Sequence, residues 1–342
     1  MTVREDWQQL RSLESRDLVK DWFKIIHQKD LKTRRANEIN FASRQAREYF
    51  KNASRSDYTV RPLLTFYGVA SLSKALLLLL RKNGGEECLH KGHGLETISW
   101  DQEMSGDIPN ALDNLGNLKV KTNAGLFTGF LDISENLICL HINSTAVGLR
   151  LKYPLFDTGL ELSFTDLVSR MPDLKIDYKN ISDMLVYAVV SQMTVSETEG
   201  FKAIVNKIAF SQFQNYYENI GYICTPLNND YIDISCSFEV YKNVPPQFIH
   251  HYVKRFGNVP GLYISKPFNR DARLSQIAIT YVVSYYLGML VRYYPTQWVS
   301  MIQGSKGDRI WPTINRAQHS VEVSFPKLVI EMIQDIVKER TL

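Results

Sequence analysis

Two short stretches of this chain hold residues of the kind that do chemistry. In "HKGHGL", residues 90–95, His90 and His93 lie three positions apart among glycines. An imidazole titrates near neutrality, so either could act as a general acid or base. A metal would need a third ligand, and Cys88, Glu86, Glu87 and Glu96 are the local donors. None completes a recognised zinc spacing, so no metal is expected. In "LGMLVRYYPTQW", residues 287–298, Arg292 ends an apolar helix among Tyr293, Tyr294 and Trp298. Its planar fork can stack on rings or grip a carboxylate or phosphate. If space brings His90, His93 and Arg292 together, they form a composite catalytic set for a nuclease-type enzyme. The plainer readings are a helix stop, with Gly94 at positive φ and Leu95 tucked onto the core, and a cation answering a helix dipole.

A second chemistry is charge. Residues 1–100 carry 18 Lys and Arg against 12 Asp and Glu, whereas residues 101–180 carry 7 against 11. The surplus behind the net charge of +4 is therefore N-terminal. "KDLKTRRANEINFASRQAREYFKNASR" offers Arg34, Arg35, Arg44, Arg47, Lys51 and Arg55 to nucleic-acid phosphates. The alternative is a solvated helix face, since Glu38 and Glu48 fall among those cations.

Other chemistry is not indicated. There is no GxxxxGK[ST], no GxGxxG after a strand, no HExxH and no GxSxG, so no cofactor is expected. "GSKGDR", residues 304–309, lacks the strand that a phosphate loop follows. Cys88, Cys139, Cys224 and Cys236 are scattered without a CxxC pair and read as reduced thiols. The polar start, "MTVREDWQQL", has no apolar core of a secretion signal, which points to the cytoplasm. Residues 63–80 and 277–291 are apolar, yet Lys74 interrupts one and Tyr281, Ser284, Tyr285 and Tyr286 the other. Both read as buried helices, and no membrane partner is expected.

The elements that must position these residues follow from periodicity. Trp7, Leu10, Leu13, Leu18, Trp22, Ile25 and Ile26 recur at helical spacing, as one helix or as two with a break near residues 15–17. Further helices are expected over 39–53 and 61–81, the latter with Pro62 in its first turn and "KNGG" as its stop. Residues 84–122 dissolve into Gly, Asp, Asn and Pro, the signature of a long surface excursion. "LKVKTN", "GLFTGFL" and "LICLHIN" read as strands, then 163–171 and 180–193 as helices. "GFKAIVNKIAF", "GYICTPL", "YIDISCSFEVY" and "GLYISKPF" read as an antiparallel sheet. Helix returns over 271–294, in "PTQWVSMIQG" closed by Gly304, and over 325–338.

The fold class is therefore α+β, with N- and C-terminal helices forming a bundle around a β-rich central insertion. The segments are 1–100, 101–265 and 266–342, the last packing with the first. A chain of 342 residues, 44% hydrophobic and 22% charged, can build the core this requires.

"RPLLTFYGVASLSKALLLL", the following "HGL" and the later "YYLGMLVRYYPTQW", in that order and separation, resemble the YaaC-like family of bacterial proteins over about residues 40–340. The resemblance implies a cytosolic bacterial protein with helices at both ends, and no particular reaction. By looser analogy the terminal helices resemble HEPN-type bundles, a group rich in RNA-targeting toxins and phage-defence components. Catalytic HEPN proteins pair an Arg with a His shortly after it, and no pair here fits. Arg316 precedes His319 with two residues between, and Arg81 precedes His90 with eight.

The function expected is that of a binding component of a larger protein or nucleic-acid assembly in phage defence. Its partner would be another protein or a second copy, with nucleic acid on the basic N-terminal face. A HEPN-related nuclease with a non-standard site and a small-molecule sensor stand as alternatives. Whether the chain is an enzyme stays open at this point.

Overall fold

In the first eighty residues the three-to-four spacing of apolar side chains closes into helices. In the computed structural model these are α1 (Val3–Leu10), α2 (Arg16–His27), α3 (Thr33–Ala53) and α4 (Arg61–Leu80). The structure describes residues 3–138, 152–179, 181, 186–251, 261–304 and 308–341. The early break is real: 11–14 tighten into a 3-10 turn, and the Ser15 hydroxyl caps α2 by accepting the Leu18 N–H at 3.4 Å. Pro62 sits in the first turn of α4, where its missing N–H costs nothing. Arg35, early in α3, meets the end of α4, while Phe50, late in α3, lies where a Cβ on Gly68 would come within 2.6 Å. The two helices are therefore antiparallel and packed closely enough to require the glycine.

The chain divides into two compact units: 1–134 with 157–164 and 277–342, and 135–156 with 165–276. In the first, the two ends of the chain meet. A long C-terminal helix packs on α1, α2 and α4, and Gln334 donates to Gln9 at 2.9 Å.

The 84–122 stretch is not an excursion. It holds β1 (His93–Ile98), short helical turns and most of β2 (Lys119–Gly125), anchored by buried Leu95, Trp100, Leu112, Leu115 and Leu118. "GLFTGFL" is likewise not a strand but a helix, α5 (Leu126–Ile133). Its apolar residues Leu126, Phe127, Phe130 and Leu131 follow a helical stripe, and Thr128 reaches back to the Gly125 N–H at 3.0 Å. With β3 (Glu161–Ser163), the strands form an antiparallel sheet in the order β1-β2-β3.

The second unit is a six-stranded antiparallel sheet. Its strands are β4 (Tyr187–Ser196), β5 (Gly200–Asn206), β6 (Ile223–Pro226), β7 (Tyr231–Cys236), β8 (Gln247–His250) and β9 (Leu262–Ser265), in the order β6-β7-β5-β4-β9-β8. The helix expected over 180–193 is thus replaced, over its described part from Tyr187, by β4. Val189, Val190, Thr194 and Val195 are branched at Cβ and favour the pleat. Phe201 stacks on Tyr241 at 4.8 Å in the core, and buried Tyr217 donates to the Ser265 carbonyl at 2.7 Å. "LICLHIN" and Cys139 fall outside the described residues, except Leu137 and Ile138, which are buried.

Three helices complete the first unit: α6 (Gln276–Tyr293), α7 (Pro295–Ile302) and α8 (Trp311–Thr341). The last helix begins well before Phe325 and carries Pro326 inside it. Tyr281 of α6 meets Phe127 and Phe130 of α5 and Phe325 of α8, with ring centroids 5.2, 5.7 and 6.4 Å away. Among the described residues α4 has the length and hydropathy to cross a membrane, yet 78% of its apolar window is buried inside the fold. Mixed helix and sheet, helical at both ends and β-rich between, is the architecture observed.

Candidate functional site

His93 opens β1 at a tight crossing of backbones. A Cβ on Gly94, whose φ is +76°, would lie 2.7 Å from the Phe127 N and 3.0 Å from the Gly125 carbonyl carbon. Gly94 does hold the positive φ expected of it, and buried Leu95 does turn inward. The crossing fixes the His93 ring between Phe66 of α4 and Tyr285 of α6, with centroids 5.1 and 5.8 Å away.

Arg292 belongs to the same neighbourhood. Its guanidinium is exposed, lies over the Tyr293 ring at 5.1 Å, and reaches the Tyr67 hydroxyl at 3.5 Å. Burial first, and then the fields of Arg292 and Lys74, push the His93 imidazole below its ordinary value. His90 lies elsewhere. It is exposed and borders a small cavity of about 40 Å³ with Leu77, Arg81, Gly129 and Asp132. Of the three residues grouped by sequence, the fold joins two and adds Lys74, which no motif marked.

The depressed His93 has a consequence for stability. The unfolded chain binds the imidazole proton with the ordinary pKa of 6.5, and the folded chain binds it more weakly. Between those two values the unfolded state holds more protons, so stability falls as pH drops through about 6.5 and is fully regained above it. His93→Gln is expected to reduce the loss of urea resistance between about pH 7.5 and about pH 5.5. If the loss is the same in both proteins, His93 does not contribute to it.

The N-terminal cations do not share one face. Arg35 is buried and donates to the carbonyls of Leu78, Lys82 and Arg81, closing the end of α4. These bonds commit Arg35 to the end of α4, although it also borders a cavity of about 380 Å³. Arg34 pairs with Glu38 and Glu87 beside the same cavity. Arg44 faces Glu14, and Arg55 is exposed in the turn after α3.

Arg47 and Lys51 instead line a cleft of about 610 Å³ whose walls come from both ends of the chain. Trp7 and Arg11 enter from the N-terminus, Phe50 from α3, Arg61 from α4, and His319 and Glu322 from α8. Arg61 and Glu322 pair within its floor, joined by the Thr65 hydroxyl and by Gln318, which donates to Glu322 at 2.8 Å. Arg47 clasps Glu14 at 2.7 and 3.3 Å; that contact outweighs the opposing effect of burial and moves its guanidinium above the ordinary value. Arg11 and Lys51 stand exposed, and Lys51 has only a 3.6 Å approach to Glu48. The lining thus holds four Lys and Arg against one carboxylate, with an indole and an imidazole beside them.

Sequence order hid this cleft, since Arg11, Arg61 and His319 belong to separate stretches. Among the described residues no three His, Cys, Asp or Glu side chains gather as metal ligands do. Cys88, Cys224 and Cys236 are free thiols, with burial raising Cys224 to about 12 and Cys236 to about 11.

Fold and site together define an α+β protein whose helical unit bears a cationic cleft. The chain belongs to the YaaC-like protein family, whose model matches residues 7–333. No curated protein and no solved structure matches it.

Proposed function

We propose that the chain is a cytoplasmic binding component of a larger assembly, holding single-stranded nucleic acid in the cleft between α1, α3, α4 and α8. The observation behind this reading is the excess of cations over carboxylates in a cleft that also presents Trp7. Nucleic acids without a partner strand are held by cations along the phosphates and by aromatic rings beneath the bases. Arg61 and Arg47 are already matched by carboxylates and shape the walls. Arg11 and Lys51, at the rim, carry the charge a phosphate would meet. The helical unit would then be HEPN-like and the assembly one of phage defence, with a protein partner or a second copy completing it.

Fluorescence anisotropy of a short single-stranded RNA tests the reading. Replacing both Arg11 and Lys51 with Gln is expected to weaken binding at low salt about tenfold or more. The slope of log affinity against log salt should become shallower by roughly 1.4, since each single-strand phosphate contact contributes about 0.7. Trp7→Ala should weaken binding further with no change of slope, as stacking is worth about 1–3 kcal/mol per base. Equal binding by the Arg11/Lys51 variant and the parent would end the proposal for this cleft.

A second reading, a nuclease-type enzyme with a non-standard site, is favoured by one observation. His93 and Arg292, far apart in sequence, come within electrostatic reach of each other beside Tyr67.

A further inference from the structure

The notch around His93 has an electrostatic oddity that the cleft does not share. Lys74 projects exposed from α4 and Arg292 exposed from α6, and both fields fall on one imidazole. Neither cation pairs with a carboxylate among the described residues. The nearby carboxylate is Glu96, whose field reaches Tyr285, but it is bound to Lys121 at 3.1 Å and accepts from Asn123 at 3.2 Å. The other titratable groups around the notch include Tyr67, with Tyr49 packed on it, and Tyr285 and Tyr293. Two like charges beside a half-buried imidazole repel one another and its proton, and among the described residues no carboxylate pairs with either of them.

The same arrangement is well organised. His93 is fixed by the Gly94–Gly125 crossing and wedged by Phe66 and Tyr285, and the Arg292 guanidinium is steadied by the Tyr293 ring. Lys74 lies two turns from Tyr67 along α4 and Arg292 two turns from Tyr285 along α6, so both cations stand on the helix faces that hold the His93 ring, an arrangement that suits an anion.

We propose that His93, Lys74 and Arg292, with the Tyr67 hydroxyl, form a binding site for a phosphate monoester dianion. A monoester carries between about 1.5 and 2 negative charges at neutral pH and offers three acceptor oxygens, which suits two cations and two neutral hydrogen-bonding groups. Arg292 supplies a planar fork and Lys74 a point charge. His93 donates one ring N–H and takes up a second proton more readily once the dianion has offset Lys74 and Arg292. The ligand's phosphate can belong to a free small molecule or to the end of a nucleic acid; the chemistry at the notch is the same. This site is separate from the Trp7–His319 cleft, and substitutions in either leave the other's residues in place.

Imidazole proton and nitrogen NMR of the full chain tests it, with the His93 signals identified by their loss in His93→Gln. Inorganic phosphate is expected to shift the His93 signals saturably and raise the pH at which the ring titrates. Lys74→Gln and Arg292→Gln should each weaken phosphate about tenfold, the loss of one charge-assisted contact. Both side chains are exposed, so the variants should fold, and an unchanged set of the remaining histidine signals verifies this.

Two oligonucleotides, one 5′-phosphorylated and one ending in a 5′-hydroxyl, separate the sources. A response to the phosphorylated strand tighter than to inorganic phosphate assigns the site to nucleic-acid ends. Equal or weaker response assigns it to small phosphate esters. His93 signals that ignore phosphate, or that respond equally in the Lys74/Arg292 double variant, overturn the proposal. Because Arg11 and Lys51 lie outside the notch, their substitution with Gln should not change the phosphate response, even where it abolishes RNA binding.

Discussion

Gly125→Ala is expected to destabilise the helical unit by about 3 kcal/mol, the upper range for overpacking against atoms that cannot move away. A Cβ there would lie 2.5 Å from the Gly94 Cα and 3.1 Å from the His93 carbonyl carbon, and still closer to the Gly94 N. All of these are backbone atoms, so no side-chain rotation relieves the overlap. The β1–β2 crossing would have to open, and His93 would move with it. Gly92→Ala is the control: its φ of +83° is left-handed, whereas Gly125 is extended, but nothing lies within 4 Å of the added carbon. It should cost only the backbone term, about 1–2 kcal/mol.

The readout is unusually clean. All five tryptophans, Trp7, Trp22, Trp100, Trp298 and Trp311, belong to the helical unit, so indole fluorescence in a urea titration follows that unit alone. A Gly125→Ala midpoint equal to that of Gly92→Ala would show that the crossing is looser than described.

Arg35→Ala is expected to cost about 2–4 kcal/mol by the same measurement. The guanidinium donates at 2.9 and 2.6 Å to Leu78 and at 3.4 Å to Lys82, and it also bonds Arg81, so removal strands several carbonyls at the end of α4. The packing of its cation over Phe23, at 5.0 Å, is lost as well. Burial lowers the Arg35 pKa from its ordinary value, with the Glu38 carboxylate opposing that shift. Arg35→Lys should recover little, because one ammonium cannot match a planar fork bonded on several sides. Arg34→Ala, next in the chain but exposed, should stay within about 1 kcal/mol of the parent. Equal effects at the two positions would refute the capping role.

That pair of neighbours shows where sequence reasoning stops. Arg34 and Arg35 look alike in a basic run, and only the end of α4, more than forty positions away, distinguishes them. The helices themselves were legible because Leu10, Leu13, Leu18, Trp22, Ile25 and the α4 leucines repeat at helical spacing and Ser15 and Pro62 mark starts, although the buried face of α2 falls on Val19 and Phe23 and leaves Leu18 exposed. Residues 126–133 and 187–196 were misread because each is short and apolar, where helical and strand periods look alike. Thr128 behind Gly125 in the first, and the Val and Thr content of the second, were the available signals.

Of the candidate site, His93 with Arg292 was legible from residue type and glycine context. Lys74 was not, being read only as a charge that interrupts an apolar stretch. The Trp7–His319 cleft was illegible because its walls come from opposite ends of the chain, and a linear reading groups what is adjacent.

The joining of those ends also sets an order of events during synthesis. The ribosome releases α1 to α4 first, with the surfaces that α8 will cover still bare, and then the whole β-rich unit before α6 to α8 emerge. The inserted unit can close on its own contacts, since domains generally fold as units while the chain grows. The helical unit cannot finish until its last residues are made. A nascent or truncated chain lacking α8 therefore exposes apolar helix surface and is a natural client for chaperones. Arg61, waiting for Glu322, is among the last of its contacts to form.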